Sequence, residues 1–475
     1  MDVETTPLLC SGGSAPASRP VNKDYYDQQE TNNDKTTVVV DFAPLDPTNP
    51  VHFPAGYKYA IVTLLALMAF VVTFTCIGIV PVASRIVTDL SPSHTPDKSA
   101  SVLLVTIWEL GEAAGPLLIA PLSEIYGRYP IVNLANLAFI LATVAAALSQ
   151  NTGLFIAVRA LTGFTVMSNV LNPAVVGDLF ESEQRGKPMS LIMLAPLLGG
   201  AVGPLMAGAM SERFSWRAVL WASVLLASAC ELLFLTCFRE TYGPAILRRR
   251  AARLRLERGG SNSSQDIRTP FDDGKDEEEK DKKSALDKLV GSLLRPGIIF
   301  FSSPVLMAMA LYGSVSFTYF YIMSTTLPDI VHDNYGLSAS QVGAVFVAFS
   351  IGSIAGVAIC NLTLDRIFDK QWAGEPEFRL PLVIVGAVTL PIVVAAYGWM
   401  AQAGAGPEGT APLIALEALL AAMGLSLLLA FMPLLAYVVD ATGVYSASAM
   451  TAMIVTRCLM GTFLPLAGSP YTRTE

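Results

Sequence analysis

Charged residues are scarce in this chain. Asp, Glu, Lys and Arg make up 15% of its 475 residues, whereas soluble domains contain about 25%. The six cysteines are scattered, without the spacing of a metal site or a disulfide framework. We also find no phosphate-binding loop and no nucleophile placed beside a base. These absences argue against an ATP-driven pump and a membrane hydrolase, so we expect no cofactor, no metal and no enzymatic activity.

Apolar residues make up 53% of the chain, and its mean hydropathy is +0.51. They are grouped in long blocks, and about 20 apolar residues suffice for a helix to cross a bilayer. The pattern predicts an all-α polytopic membrane protein. Eleven spans are predicted, at about 59–83, 99–121, 130–149, 153–177, 189–210, 216–238, 303–325, 339–362, 380–400, 412–438 and 446–468.

The basic residues predict the orientation of these spans. With the N-terminus inside, 24 lysines and arginines fall in cytoplasmic segments and five in outer segments, as the positive-inside rule requires. Four regions follow from this arrangement. They are a disordered cytoplasmic tail (1–56), a six-helix bundle (57–238), a cytoplasmic linker with amphipathic helices (239–301) and a five-span bundle (302–475).

The linker itself is polar and strongly charged. Its basic stretch 242–258 is expected to lie on the anionic inner leaflet. Residues 259–283 are predicted to be disordered. An amphipathic helix is predicted from Ser284 to Arg295–Pro296. A tether between two bundles explains these features better than a regulatory domain.

Two carboxylates, Glu109 and Glu112, lie in the apolar second span. They are three residues apart and therefore share a helix face, and Glu109 falls near the bilayer midplane. Burial there favours the neutral form of a carboxyl group, which is a property that proton coupling needs. The alternative is that one of them is a structural partner of Arg159, an intramembrane arginine that must find a carboxylate or carbonyl groups.

Several phrases of the chain are similar to those of the major facilitator superfamily, in its fungal drug:proton antiporter branch with twelve spans. They include GPLLIAPLSEIYGR (115–128), RALTGF (159–164), LGGAVGPLMAG (198–208), PEFRLP (376–381) and YVVD (437–440). The resemblance covers nearly everything from Asp46 to Tyr471 and implies two pseudo-repeated bundles. It departs from the family pattern at Tyr129, where a second basic residue is usual.

The resemblance assigns roles to particular residues. It implies proton transfer for Arg159 and a gating latch at the inner mouth for Glu124, Gly127 and Arg128. A faint repeat of the latch motif lies in the C-terminal bundle, at Asp365 and Arg366. It also implies an antiporter motif in the fifth span, formed by Gly199, Gly200, Gly203, Pro204 and Gly208.

The family has a twelfth span that this sequence lacks. The chain ends in a polar stretch that looks like the loop after the eleventh span. A truncated gene model is the favoured explanation over a native protein of eleven spans.

The seventh span is rich in aromatic residues, which form adaptable apolar pockets. One or two of them could face a bulky amphiphilic substrate, although core or lipid contact is the default for most. Glu417, in the tenth span, could be a substrate ligand or a satisfied structural carboxylate. The candidate cavity residues are Tyr312, Phe317, Tyr319, Tyr321 and Glu417.

The leading functional hypothesis is proton-coupled efflux of amphiphilic organic compounds, such as drugs, toxins or secondary metabolites. A polyamine exporter, an uptake permease and a non-transporting sensor or pseudo-transporter remain as alternatives. The expected partners are a small amphiphilic substrate, protons and the bilayer, with no nucleic acid, and a monomer is expected. The plasma membrane is the favoured location, although Glu4–Leu9 has the spacing of a dileucine signal that routes cargo to vacuoles.

Overall fold

The structure is a computed structural model. It describes residues 37–43, 46–92, 97–181, 184–257, 266–270, 285–371, 376–404, 412–442 and 446–468. The dileucine sequence, most of the polar linker segment 259–283 and the end of the chain after residue 468 lie outside these residues.

Helices form nearly all of the described chain, as its apolar blocks predict. The first half contains α1 (Ala55–Gly78), α2 (Ala83–Leu90), α3 (Lys98–Tyr126), α4 (Arg128–Ala147), α5 (Thr152–Phe164), α6 (Ser168–Leu179), α7 (Gly186–Arg213), α8 (Trp216–Cys237) and α9 (Gly243–Glu257). The second half contains α10 (Ala285–Ser302), α11 (Pro304–Tyr335), α12 (Ala339–Gln371), α13 (Leu380–Gly404), α14 (Leu413–Thr442) and α15 (Ser446–Gly468).

Ten helical segments of the described chain are long and apolar enough to cross a membrane, which confirms an all-α multi-pass membrane protein. The predicted fourth span is built differently, from the two shorter helices α5 and α6. Near the break, the Thr165 hydroxyl donates to the Thr162 carbonyl at 2.7 Å. Such side-chain bonds compete with the helical ladder.

The linker helix α10 is longer than predicted. It continues through Pro296 to Ser302 instead of ending at Arg295–Pro296. Proline removes one backbone donor but does not stop a helix in every context, and the apolar residues 298–301 extend this one.

Two short strands were not predicted from the sequence. β1 (Thr37–Val39) in the tail pairs in parallel with β2 (Asp266–Arg268) in the linker. Both belong to a small unit formed by Met1–Asp46 and Leu247–Gly274. Part of the tail predicted to be disordered is therefore paired with the linker.

This small unit has its own core and ion pair. Val40, Leu247 and Ala251 are buried together. Arg250 Nη1 lies 2.7 Å from Asp46 Oδ2, and its guanidinium lies 5.6 Å from the centre of the Phe42 ring.

The second unit, Pro47–Ile246 with Lys275–Glu475, contains the membrane helices. Within its first half, α1 packs on α7, α3 on α5 and α4 on α8. The first half, which ends with α8, contacts the second half chiefly through α3 against α15 and α7 against α12. These two interfaces position the candidate site.

Candidate functional site

Glu109 and Glu112 lie on the buried face of α3, only 2% and 7% exposed. Arg457 Nη2, on α15, donates to Glu112 Oε1 at 2.7 Å and lies 3.9 Å from Glu109 Oε2. The Tyr321 hydroxyl, on α11, donates to Glu109 Oε1. Glu109 and Glu112, which lie in the first half, are therefore both bound by side chains of the second half.

Sequence reasoning selected Glu109, Glu112 and Tyr321, and the structure brings these three together. Arg457 was not among the residues selected from the sequence, although an arginine inside an apolar span is itself a signal. Gly461 was not selected either. A Cβ at that position would lie 3.4 Å from Tyr321 Cδ2 and 3.6 Å from Glu109 Oε2, so Gly461 is in direct contact with this pair.

Arg159 is 1% exposed and lies on α5, in the first half. Its Nη2 atom donates to the Cys76 carbonyl at 3.3 Å, and its guanidinium lies 5.2 Å from the centre of the Trp108 ring. Its Nε and Nη1 atoms have no hydrogen-bond partner among the described residues. The carbonyl partner that the sequence allowed is present.

An aromatic cluster adjoins the charged residues. The Arg457 guanidinium lies 4.4 Å from the centre of the Phe317 ring. The Phe317 and Phe431 ring centres are 5.4 Å apart, and those of Phe320 and Phe349 are 5.1 Å apart. Five rings from α11, α12 and α14 form this cluster: Phe317, Phe320, Tyr321, Phe349 and Phe431.

Of the other predicted cavity residues, none is placed at this site by a described contact. The Tyr312 hydroxyl donates to the Val383 carbonyl at 3.5 Å, and Tyr319 packs against the main core. Glu417 is half-buried near the start of α14.

The predicted inner-mouth latch is a network around Arg128. Its Nε atom lies 3.1 Å from Asp178 Oδ2, and its Nη1 atom donates to Ser123 Oγ at 2.5 Å. Its backbone N–H donates to Glu240 Oε1 at 2.7 Å. Asp178 and Glu240 belong to this network but were not selected from the sequence. The predicted member Glu124 is exposed.

Gly127 makes this network sterically feasible. Its φ is 99°, a conformation that L side chains rarely adopt, and a Cβ there would lie 2.2 Å from Glu240 Oε2.

A similar ion pair lies in the second half. Arg379 immediately precedes α13, and its Nε atom lies 2.5 Å from Asp440 Oδ2, near the end of α14. Arg128 and Asp178 occupy the matching places in predicted spans three and four. The predicted counterparts, Asp365 and Arg366, lie in α12, but their side chains are outside the described residues.

The glycine motif thins two faces of α7. A Cβ at Gly199 or Gly203 would come within 3.0 Å of backbone oxygens of α1. On the other face, a Cβ at Gly208 would lie 2.2 Å from the Ala339 oxygen, and Gly343 lies against Pro204 in the same way. Gly200 has only distant neighbours. The motif therefore serves both the α1 contact and the interface between the halves.

The geometry combines two packed halves with charges buried between them, which is typical of a secondary transporter. Residues 64–465 match the sequence model of the Major Facilitator Superfamily. The efflux pump radE of Floropilus chiversii is 33% identical over 447 residues, covering 93% of this chain and 79% of that protein. The MFS transporter cpaT of Aspergillus oryzae is 30% identical, covering 93% and 86%.

Solved structures show the same fold. The xylose transporter XylE from E. coli, in a partially occluded inward open conformation, is 15% identical and has a TM-score of 0.60, with 89% of this chain and 92% of that chain covered. The chain belongs to the major facilitator superfamily. It is a multi-pass membrane transporter and not an enzyme.

Proposed function

We propose that the protein exports amphiphilic organic compounds in exchange for protons. The observation that carries this proposal is the position of Glu109 and Glu112, which are buried on the first half and bound by Tyr321 and Arg457 of the second half. The relative named as an efflux pump supports the direction of transport.

The contacts explain how a proton could control the transport cycle. Alternating access requires the two halves to change their contacts. An ionised Glu112 holds Arg457 across the interface by a charge-assisted hydrogen bond. Protonation removes the ionic part of this contact, so it lowers the free energy needed to separate the halves. The hydrogen bond from the Tyr321 hydroxyl to Glu109 is a second contact between the halves at this site.

We also propose roles for the two buried arginines. Arg457 is the cationic partner of Glu112 in the present conformation, in which Glu112 is bound to the second half. Arg159 lies in the first half, and its Nε and Nη1 atoms have no hydrogen-bond partner among the described residues. We assign it the proton-transfer role because it can stabilise a carboxylate of α3 once the contact with Arg457 is broken.

Replacing each glutamate by glutamine tests the proposal. Glu109→Gln and Glu112→Gln keep the size of the side chain but cannot titrate. Everted membrane vesicles containing either variant should bind a fluorescent amphiphile but lose its uphill accumulation or the pH dependence of that accumulation. The wild-type activity should disappear when a protonophore dissipates the gradient.

Glu231→Gln is the matched control. Glu231 is also a buried glutamate of the first half, 5% exposed, but its Oε2 atom accepts a hydrogen bond from Asn136 at 2.8 Å, away from the interface. Transport should survive this change. Normal uphill transport in both site variants would contradict proton coupling by this pair, and transport that stops only on ATP depletion would contradict antiport.

The plasma membrane is the proposed location, since export from the cell requires it. A fluorophore inserted near Ser261 leaves the N-terminal sequence free. Fluorescence at the cell surface is expected in both the parent and Leu8→Ala/Leu9→Ala. Fluorescence at the vacuolar rim that moves to the surface in the variant would instead show that the dileucine sequence acts as a sorting signal.

A further inference from the structure

Among the described side chains of the site, more buried N–H donors than carboxylate acceptors have no hydrogen-bond partner. Among the described residues, three of its side chains hold N–H donors without a hydrogen-bond partner. The donor atoms are Trp108 Nε1, Arg159 Nε, Arg159 Nη1 and Arg457 Nε. One carboxylate acceptor, Glu109 Oε2, is likewise without a partner. A site with surplus buried donors is completed by a ligand that brings acceptors.

Two of these three side chains adjoin each other. The Arg159 guanidinium lies 5.2 Å from the centre of the Trp108 ring, and Trp108 is on the same helix as Glu109 and Glu112. Arg457 contacts both glutamates from the opposite half. Its side chain is 13% exposed, so it is accessible to a ligand, whereas Arg159 is buried.

The apolar surroundings point to the rest of the ligand. Arg457 lies over Phe317, the first ring of the five-ring aromatic cluster. Aromatic rings bind planar apolar groups by stacking, and the arginine fork binds a carboxylate or a similar pair of oxygens in two hydrogen bonds. A planar ring bearing an acidic oxygen group matches both features.

We propose that the substrates are aromatic weak acids, whose carboxylate, phenolate or enolate oxygens bind Arg457 in competition with Glu112. This inference rests on the proposed export function and narrows its substrate class. A cationic amphiphile would instead have to displace Arg457, whose Nη2 atom donates to Glu112 Oε1 and lies 3.9 Å from Glu109 Oε2.

Two probes with the same ring system test the charge preference. Equilibrium binding to the purified protein at neutral pH compares 1-naphthoate with 1-naphthylmethylamine, and it requires no proton gradient. Naphthoate should bind at least about tenfold more tightly, a difference of about 1.4 kcal/mol. Equal affinities, tighter binding of the amine, or no binding of either probe would overturn the inference.

Glu112→Gln gives opposite results for the two modes of binding. An amide competes less strongly than a carboxylate for Arg457, so the affinity for naphthoate should rise several-fold. If substrates instead bound to the Glu112 carboxylate, this variant would bind naphthoate more weakly than the parent protein does. A fall in naphthoate affinity therefore contradicts the proposal.

The double variant Glu112→Gln/Arg457→Gln removes both charges of this pair and leaves Glu109 the hydrogen bond from Tyr321. It should melt close to the temperature of Glu112→Gln but lose the preference for naphthoate. Retained preference would exclude Arg457 as the ligand. If these tests fail while proton-driven efflux of another compound persists, only the substrate class is wrong and the proposed function stands.

Discussion

The two halves carry arginine–aspartate pairs at matching places, and the pairs differ in their surroundings. The Arg128 and Asp178 side chains are 9% and 17% exposed, whereas those of Arg379 and Asp440 are 20% and 32% exposed. Arg128 also has the Glu240 carboxylate on its backbone N–H and lies 4.6 Å from the Tyr242 ring centre. An ion pair that is repeated in both halves therefore need not contribute equally to the stability of each half.

The difference has a local backbone cause. The residue before Arg128 is Gly127, whose positive φ and missing side chain make room for Glu240. The residue before Arg379 is Phe378, in a short 3-10 helix. A second acidic partner in the position of Glu240 requires the glycine, so the first half can build a buried network there. We propose that this network is the main inner latch and that the Arg379–Asp440 pair is an auxiliary one.

The largest effect is expected for Arg128→Gln. Removing one partner of a buried pair leaves Asp178 without its cation, which costs about 3–5 kcal/mol. Transport should fall by at least about tenfold, and the melting temperature in detergent should drop clearly. Wild-type stability in this variant would show that the network has no structural weight.

An intermediate effect is expected for Gly127→Ala. A non-glycine residue in the conformation of Gly127, φ 99° and ψ 166°, costs about 1–3 kcal/mol, and its Cβ also collides with Glu240. Gly336→Ala is the control for a positive φ without a collision, because Gly336 has a φ of 64° in the left-handed region and a Cβ added there would meet no atom of the described chain within 4 Å. Thermal unfolding should show the larger loss at Gly127. Equal losses would mean that the contact with Glu240 contributes nothing.

The smallest effect is expected for Arg379→Gln. Exposed ion pairs contribute about 0.2–1 kcal/mol, so stability should change little and transport should decrease modestly. The charge exchange Arg379→Asp/Asp440→Arg should restore most of the lost transport. The same exchange of Arg128 and Asp178 should fail, because Arg128 also donates to Ser123. Successful exchange in both halves would remove the distinction between the two pairs.

The helical membrane fold followed from hydropathy, because spans must be long and apolar. The charged residues inside the spans could also be identified from the sequence, because each of them interrupts an apolar block. Which charges meet was not predictable. Glu112 and Arg457 are 345 residues apart, and their contact depends on how the halves pack. The break in the fourth span was not predicted because α5 and α6 are both apolar.

The short strands escaped prediction for a different reason. A three-residue strand in a polar tail has no detectable periodicity, and its partner lies more than 200 residues away in the linker. Likewise, Asp178 is an ordinary helix-end residue until Arg128 is known to face it.

The pairing of tail and linker has a consequence for chimaeras between related transporters. β1, Asp46 and Phe42 in the tail match β2 and Arg250 in the linker. A tail taken from one relative and a linker from another would replace one side of these contacts without the other. Exchanging residues 37–46 and 247–268 as one cassette keeps the matched surfaces, and sequence changes at one of them are expected to be accompanied by changes at the other during evolution.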